Sequence, residues 1–99
     1  MKIFISQPMR GMTNEQIERA RADAVKKVQR RFPDEDIEVL DSFFKDDPDN
    51  AGPTWYLGKS LMLMDSADLV VFIPGWAEAF GCHIEHQCAV GYGIPTIEV

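Results

Sequence analysis

Hydrophobic and polar positions follow two rhythms along this 99-residue chain. Short continuous apolar runs, Ile3-Phe4-Ile5 and Ala67 to Ile73, read as buried strands, and apolar stripes at three- and four-residue spacing read as helices. The first stripe joins Ile17, Ala20, Ala24, Val25 and Val28. It follows Thr13-Asn14-Glu15-Gln16, where Thr13 can accept from the backbone three residues on and Gln16 can reach back, a capping box. Phe32-Pro33 ends that helix. Ile37, Val39 and Leu40 predict a second strand, and the segment from Asp41 to Pro53 is too polar to be core. A second helix is expected over 54–65, with Leu57, Leu61 and Met64 on one face and with Met62 and Met64 filling gaps in the core. Pro74-Gly75-Trp76 breaks the third strand. A third helix over 81–92 then leads through Gly93-Ile94-Pro95 into a last strand over 96–99.

The order β-α-β-α-β-α-β predicts an α/β fold, a single doubly wound parallel sheet with helices on both faces. We expect strand order 2-1-3-4 in a Rossmann- or flavodoxin-like three-layer domain spanning residues 1–99. In such sheets ligands bind beyond the carboxyl ends of the strands, so the loops after the first, second and third strands should converge on one cleft. The last strand is left as an edge with no helix to cover it, which predicts at least a homodimer.

Composition narrows the function classes. At 45% hydrophobic and 26% charged the chain reads as an ordinary globular protein, and no apolar run approaches the roughly 20 residues of a membrane helix. It begins directly with a strand rather than with a signal peptide, so a cytoplasmic location is expected. A net charge of −6 argues against a binder of nucleic-acid polymers, which needs a clustered basic surface. Eight of the sixteen acids fall between Asp34 and Asp49, without the spacing or closing glutamate of a calcium loop. They read as a solvated loop. Arg19, Arg21, Lys26, Lys27, Arg30 and Arg31 read as the exposed face of the first helix. Cys82 and Cys88 lie six apart on one helix, poor geometry for a disulfide, and with His83 and His86 they lack the shared face a zinc site requires. Neither a metal nor a cofactor is expected.

Three features carry candidate chemistry. Glu85 is placed on the first turn of the third helix, beyond the strongest strand, where it would face the ligand cleft near the positive end of the helix dipole. Ser6-Gln7-Pro8-Met9-Arg10-Gly11 lacks the glycine pattern of a phosphate-binding P-loop. It does bring a hydroxyl, an amide and a guanidinium to a strand end, groups that bind an anion or a sugar hydroxyl. Phe43-Phe44, adjacent rings in a polar loop, are either folded back onto the core or a stacking wall for a ligand.

The run Ile3 to Gly11, then Ala67-Asp68-Leu69-Val70-Val71, Pro74-Gly75-Trp76, Gly81-Cys82 and Ile84-Glu85, resembles the nucleoside 2-deoxyribosyltransferase superfamily, which includes nucleoside 5′-monophosphate N-glycosidases. The resemblance spans nearly the whole chain in order. It implies a small-molecule nucleoside or nucleotide substrate and Glu85 as the nucleophile at the anomeric carbon, in the manner of a retaining glycosidase. It implies that Ser6, Gln7, Arg10 and Gly11 hold sugar or phosphate, with Gly81 also in contact with substrate. Asp41 would lie near the base, and Phe43 with Trp76 would shape the base pocket. Hydrolysis is slightly favoured over base exchange, because Met9-Arg10-Gly11 is similar to the monophosphate hydrolases. Two positions depart from the pattern: Phe4 stands where a tyrosine is usual, and Ser60 where an aspartate is usual. Both favour an alternative, a nucleotide-binding or sensing module of the same fold that has lost turnover. Asp65 is the nearest carboxylate in sequence to Ser60, and Asp68 reads as a strand-start residue.

Overall fold

The computed structural model describes residues 1–99. Four strands and three helices alternate: β1 (Lys2–Ser6), α1 (Asn14–Arg31), β2 (Glu38–Val39), α2 (Pro53–Met64), β3 (Leu69–Phe72), α3 (Phe80–Gly91) and β4 (Thr96–Glu98). The strands form one all-parallel sheet in the order β2-β1-β3-β4. This is the doubly wound α/β arrangement that the apolar rhythm predicts.

The period-two alternation of the strands sorts the core into two layers. Ile3, Ile5, Leu69 and Val71 pack with Ala24 and Val28 of α1 on one face. Phe4, Val70 and Phe72 pack with Met64 of α2 and Ala89 of α3 on the other. β1 and β3 are buried along nearly their whole length, as central parallel strands covered on both faces should be. The capping box at the start of α1 is formed, with the Gln16 N–H donating to Thr13 Oγ1 and the Thr13 N–H donating to Gln16 Oε1.

Four details depart from the sequence reading. β2 is only two residues long and both are exposed, while the flanking Ile37 packs with the α1 layer and Leu40 with the α2/α3 layer. Met62 is 76% exposed, so only Met64 fills core. A short 3-10 turn, Trp76–Glu78, precedes α3. Arg21 lies half-buried against the end of β1 rather than on the solvent face of α1. No helix is long and apolar enough to cross a membrane.

The loops after β1 and β3 meet at the carboxyl edge of the sheet. Gly75 adopts φ +94°, and a Cβ placed there would lie 3.5 Å from Pro8 Cγ. Glycine at this position allows the left-handed turn that brings the two loops together.

Candidate active site

Phe4 faces the layer of α2 and α3, and Ser6, two residues on, faces the same way. The Ser6 hydroxyl donates to Glu85 Oε1 at 2.6 Å. Both residues are almost sealed from solvent, Ser6 at 1% and Glu85 at 7% exposure. Glu85 is the sixth residue of α3, which begins at Phe80. It therefore stands on the second turn rather than the first, and the dipole field, which fades within one turn, contributes little. Burial instead dominates, pushing the Glu85 carboxyl above its ordinary range, while the Ser6 and then the Ser60 hydroxyls hold it back by favouring the charged form. No cation and no second carboxylate contributes to the shift.

The sheet geometry explains why Ser60, and not Asp65, reaches this cluster. α2 runs antiparallel to the strands, so its C-terminal residue Asp65 lies toward their amino ends. Asp68 lies there too, its Oδ2 accepting from the Lys2 N–H at 2.7 Å, as a strand-start residue does. Ser60 sits more than a turn closer to the carboxyl edge. Cys82 completes the cluster: its thiol is pushed up to about 11, first by burial, with the Ser6 hydroxyl opposing and the Glu85 charge adding. At neutral pH it is a protonated, unreactive thiol.

A second polar network occupies the other face of β1. Gln7, one residue beyond Ser6, points toward α1, where its Nε2 donates to the Ile17 carbonyl at 3.2 Å. Arg21 donates from Nη1 to Gln7 Oε1 at 3.0 Å and to Ser42 Oγ at 2.9 Å, and from Nη2 to the Leu40 carbonyl at 3.2 Å. Ser42 Oγ in turn donates to the Ile5 carbonyl at 3.1 Å. Burial lowers the Arg21 guanidinium below its usual value, opposed by Asp41 and then Glu18. Arg21 and Ser42 are the residues that the sequence reading missed. The signal was present, since Arg21 falls in the apolar stripe at four residues from Ile17 and three from Ala24.

The sequence-derived residues divide into three groups. Ser6 and Gln7 are buried, and their polar atoms are bonded inside the protein. Arg10 and Gly11 are exposed in the loop after β1, with Gly11 at φ +77° and Arg10 free of any hydrogen bond or ion pair. Gly81 lies in the first turn of α3 with open space where a Cβ would be.

The remaining members of the set lie in two pockets rather than one. Asp41 and Phe43 line a pocket of about 250 Å³ with Glu18, Arg21, Lys45 and Asp46. Trp76 lines a different one of about 300 Å³, with Phe72, Gly75 and Glu98 among its walls. Phe43 and Trp76 therefore line different pockets, and neither of these two is lined by Glu85. Trp76 is held by its Nε1–H, which donates to Glu98 Oε1 at 2.8 Å, and by stacking on His86 at 4.3 Å between ring centroids. Phe44 turns back onto α2 and meets Trp55 edge-on at 6.0 Å, while the Lys45 ammonium lies 5.2 Å from the centre of the Phe43 ring. No group of three or more His, Cys, Asp or Glu side chains is arranged to hold a metal ion.

Comparison with known proteins bears on the fold. A conserved protein from Enterococcus faecalis V583 superposes with a TM-score of 0.69 at 18% identity, over 99% of this chain and 62% of the other. The likeness is one of fold. The chain thus spans under two thirds of the length of that structure. No protein-family model matches the chain, and no curated protein matches it significantly.

Proposed function

We propose that the protein cleaves the N-glycosidic bond of a nucleoside or nucleoside 5′-monophosphate, with Glu85 as nucleophile and with hydrolysis favoured over base exchange. The observation that carries this reading is the buried Glu85 carboxylate at the carboxyl edge of the sheet, held by a 2.6 Å hydrogen bond from Ser6. A carboxylate fixed in a water-poor site is oriented for attack and poorly solvated, which raises its nucleophilicity. A Glu85 oxygen forms a bond to C1′ as the C1′–N bond breaks, and the base leaves with the electron pair and takes a proton from solvent. Water then attacks C1′, releases the Glu85 carboxylate and passes its spare proton to solvent. Two features suit a 5′-phosphate: the exposed Arg10 guanidinium, and the α3 N-terminus, which no side chain caps. The unpaired outer edge of β4 supports a homo-oligomer of at least two chains.

A second reading rests on a specific observation. Retaining glycosidases pair the nucleophile with a second carboxyl group about 5–5.5 Å away. Beside Glu85 stand the hydroxyls of Ser6 and Ser60 instead. A nucleotide-binding module without turnover has the same cleft and needs no second acid.

One assay separates the two. The protein and its Glu85→Gln variant are incubated with ribo- and deoxyribonucleosides and their 5′-monophosphates, and free base is measured by chromatography. Base release by the wild type alone supports the enzyme. Ligand-induced stabilisation of both proteins with no base from either supports the binding module, and no response at all refutes both.

A further inference from the structure

We infer that the outer face of α3 is the contact of a two-fold symmetric homodimer, in which Phe80 of each chain seats against Gly91 of the other. The inference rests on the homo-oligomer reading above and locates its interface. α3 turns Cys82, Glu85 and Ala89 toward the sheet, so its outer line is Phe80, Ile84, Gln87 and Gly91, spaced by four, three and four residues. Eleven residues make about three turns, which sets Phe80 and Gly91 on the same line at opposite ends of the helix. Phe80 is 78% exposed, and Val90 and Tyr92, beside Gly91, are 59% and 85% exposed. A Cβ placed at Gly91 would meet open space. One end of the line is therefore a projecting ring, and the other is a gap flanked by apolar side chains.

That pattern is self-complementary, which is what a two-fold contact requires: each feature must find its match on the same surface. With α3 laid antiparallel on its own copy, about an axis between Ile84 and Gln87, Phe80 faces the partner's Gly91 and Ile84 faces the partner's Gln87. The symmetry repeats both contacts. Charge also selects a second copy. Of the 10 basic and 16 acidic residues in the chain, α2 and α3 hold one each, Lys59 and Glu85, and Glu85 is buried. α1, in the opposite layer, carries nine charged residues in eighteen. Two chains of net charge −6 repel each other, and the outer surface of α2 and α3 lets them meet with no carboxylate of either helix opposed. The area is also of the right order. At their exposures Phe80 and Tyr92 alone offer roughly 250–400 Å², against about 800 Å² per partner in a standard interface. Val90 and the exposed Met62 of α2 extend the same layer.

Sedimentation equilibrium of the wild type and three variants tests the contact. The wild type should sediment as a dimer that dissociates on dilution. Phe80→Asp removes the ring from both symmetric contacts and sets a carboxylate against the negative end of the partner's helix, so it should weaken association at least about 100-fold. Gly91→Leu fills the gap and should weaken it at least about tenfold. Neither change harms the single chain: an acid suits the first turn of α3, and a side chain at Gly91 enters open space. All four proteins should therefore give the same circular dichroism spectrum. Lys27→Gln, on the exposed face of α1, shifts the net charge by the same one unit as Phe80→Asp and should leave association unchanged. An undiminished dimer in either α3 variant, or equal weakening by Lys27→Gln, overturns the inference and leaves the homo-oligomer reading standing. A wild type that stays monomeric overturns both.

Discussion

Replacing Ser6 by alanine tests the centre of the candidate active site. Ser6 is 1% exposed and Glu85 is 7% exposed, so water cannot substitute for the lost donor. A hydrogen bond to a buried charged group contributes about 1.5–3 kcal/mol, and one between neutral groups about 0.5–1.5 kcal/mol. At a pH above its raised titration range, where Glu85 is ionised, Ser6→Ala should cost the larger amount. In a Glu85→Gln background, where the hydroxyl faces a neutral amide oxygen, it should cost the smaller. The coupling measured by this double-mutant cycle is thus on the order of 1 kcal/mol. Urea denaturation followed by tryptophan fluorescence measures each leg. In thermal melts each kcal/mol corresponds to roughly 4–8 °C for a domain of this size. Equal losses in the two backgrounds would show that Ser6 matters only for packing, and that nothing in the site orients the Glu85 charge.

Two further outcomes follow from the same cluster. The folded Glu85 carboxyl titrates above its unfolded value, so the native state binds more protons than the unfolded state between the two. Its contribution to stability is full below the unfolded value of about 4.3 and is lost as pH rises through the raised folded value. Stability measured from pH 4 to 8 should fall more steeply with rising pH in the wild type than in Glu85→Gln, and identical profiles would refute the shift. Cys82 at about 11 should be roughly 0.1% thiolate at pH 8, and it is buried while Cys88 is half-buried. Mass spectrometry after brief alkylation should therefore find Cys88 modified and Cys82 intact until the protein is unfolded; early labelling of Cys82 would contradict the sealed cluster.

How far the sequence could be read depended on the range of each interaction. Local signals carried well: the Thr13–Gln16 capping box, the apolar stripe of α1 and the continuous apolar β3 all specify elements from neighbouring residues, and their order implies the parallel sheet. The exposure of Met62 was not legible, because a methionine beside an apolar face reads the same whether or not another element covers it. The place of Glu85 on the second turn was legible, since it is the fifth residue counted from Gly81 and the sixth counted from Phe80, past the first 3.6 residues either way. Arg21 was misread because charge was given more weight than position. Its place in the stripe with Ile17, Ala24 and Val28 already put it on the buried face. The pairing of Ser6 with Glu85 spans 79 residues and becomes visible only when the sheet sets β1 beside α3.

The end of β1 links two buried polar networks by the simplest property of a strand. Consecutive side chains point to opposite faces, so Ser6 is directed to the α3 layer and Gln7 to the α1 layer. Ser6 bonds Glu85, the candidate nucleophile, and Gln7 bonds Arg21. Both residues are buried; Ser6 ends the central strand that pairs with β2 on one side and β3 on the other, and Gln7 follows it directly. The two networks therefore stand on opposite faces of one strand end. Their separation is set by the backbone of β1 and not by the mobility of a loop.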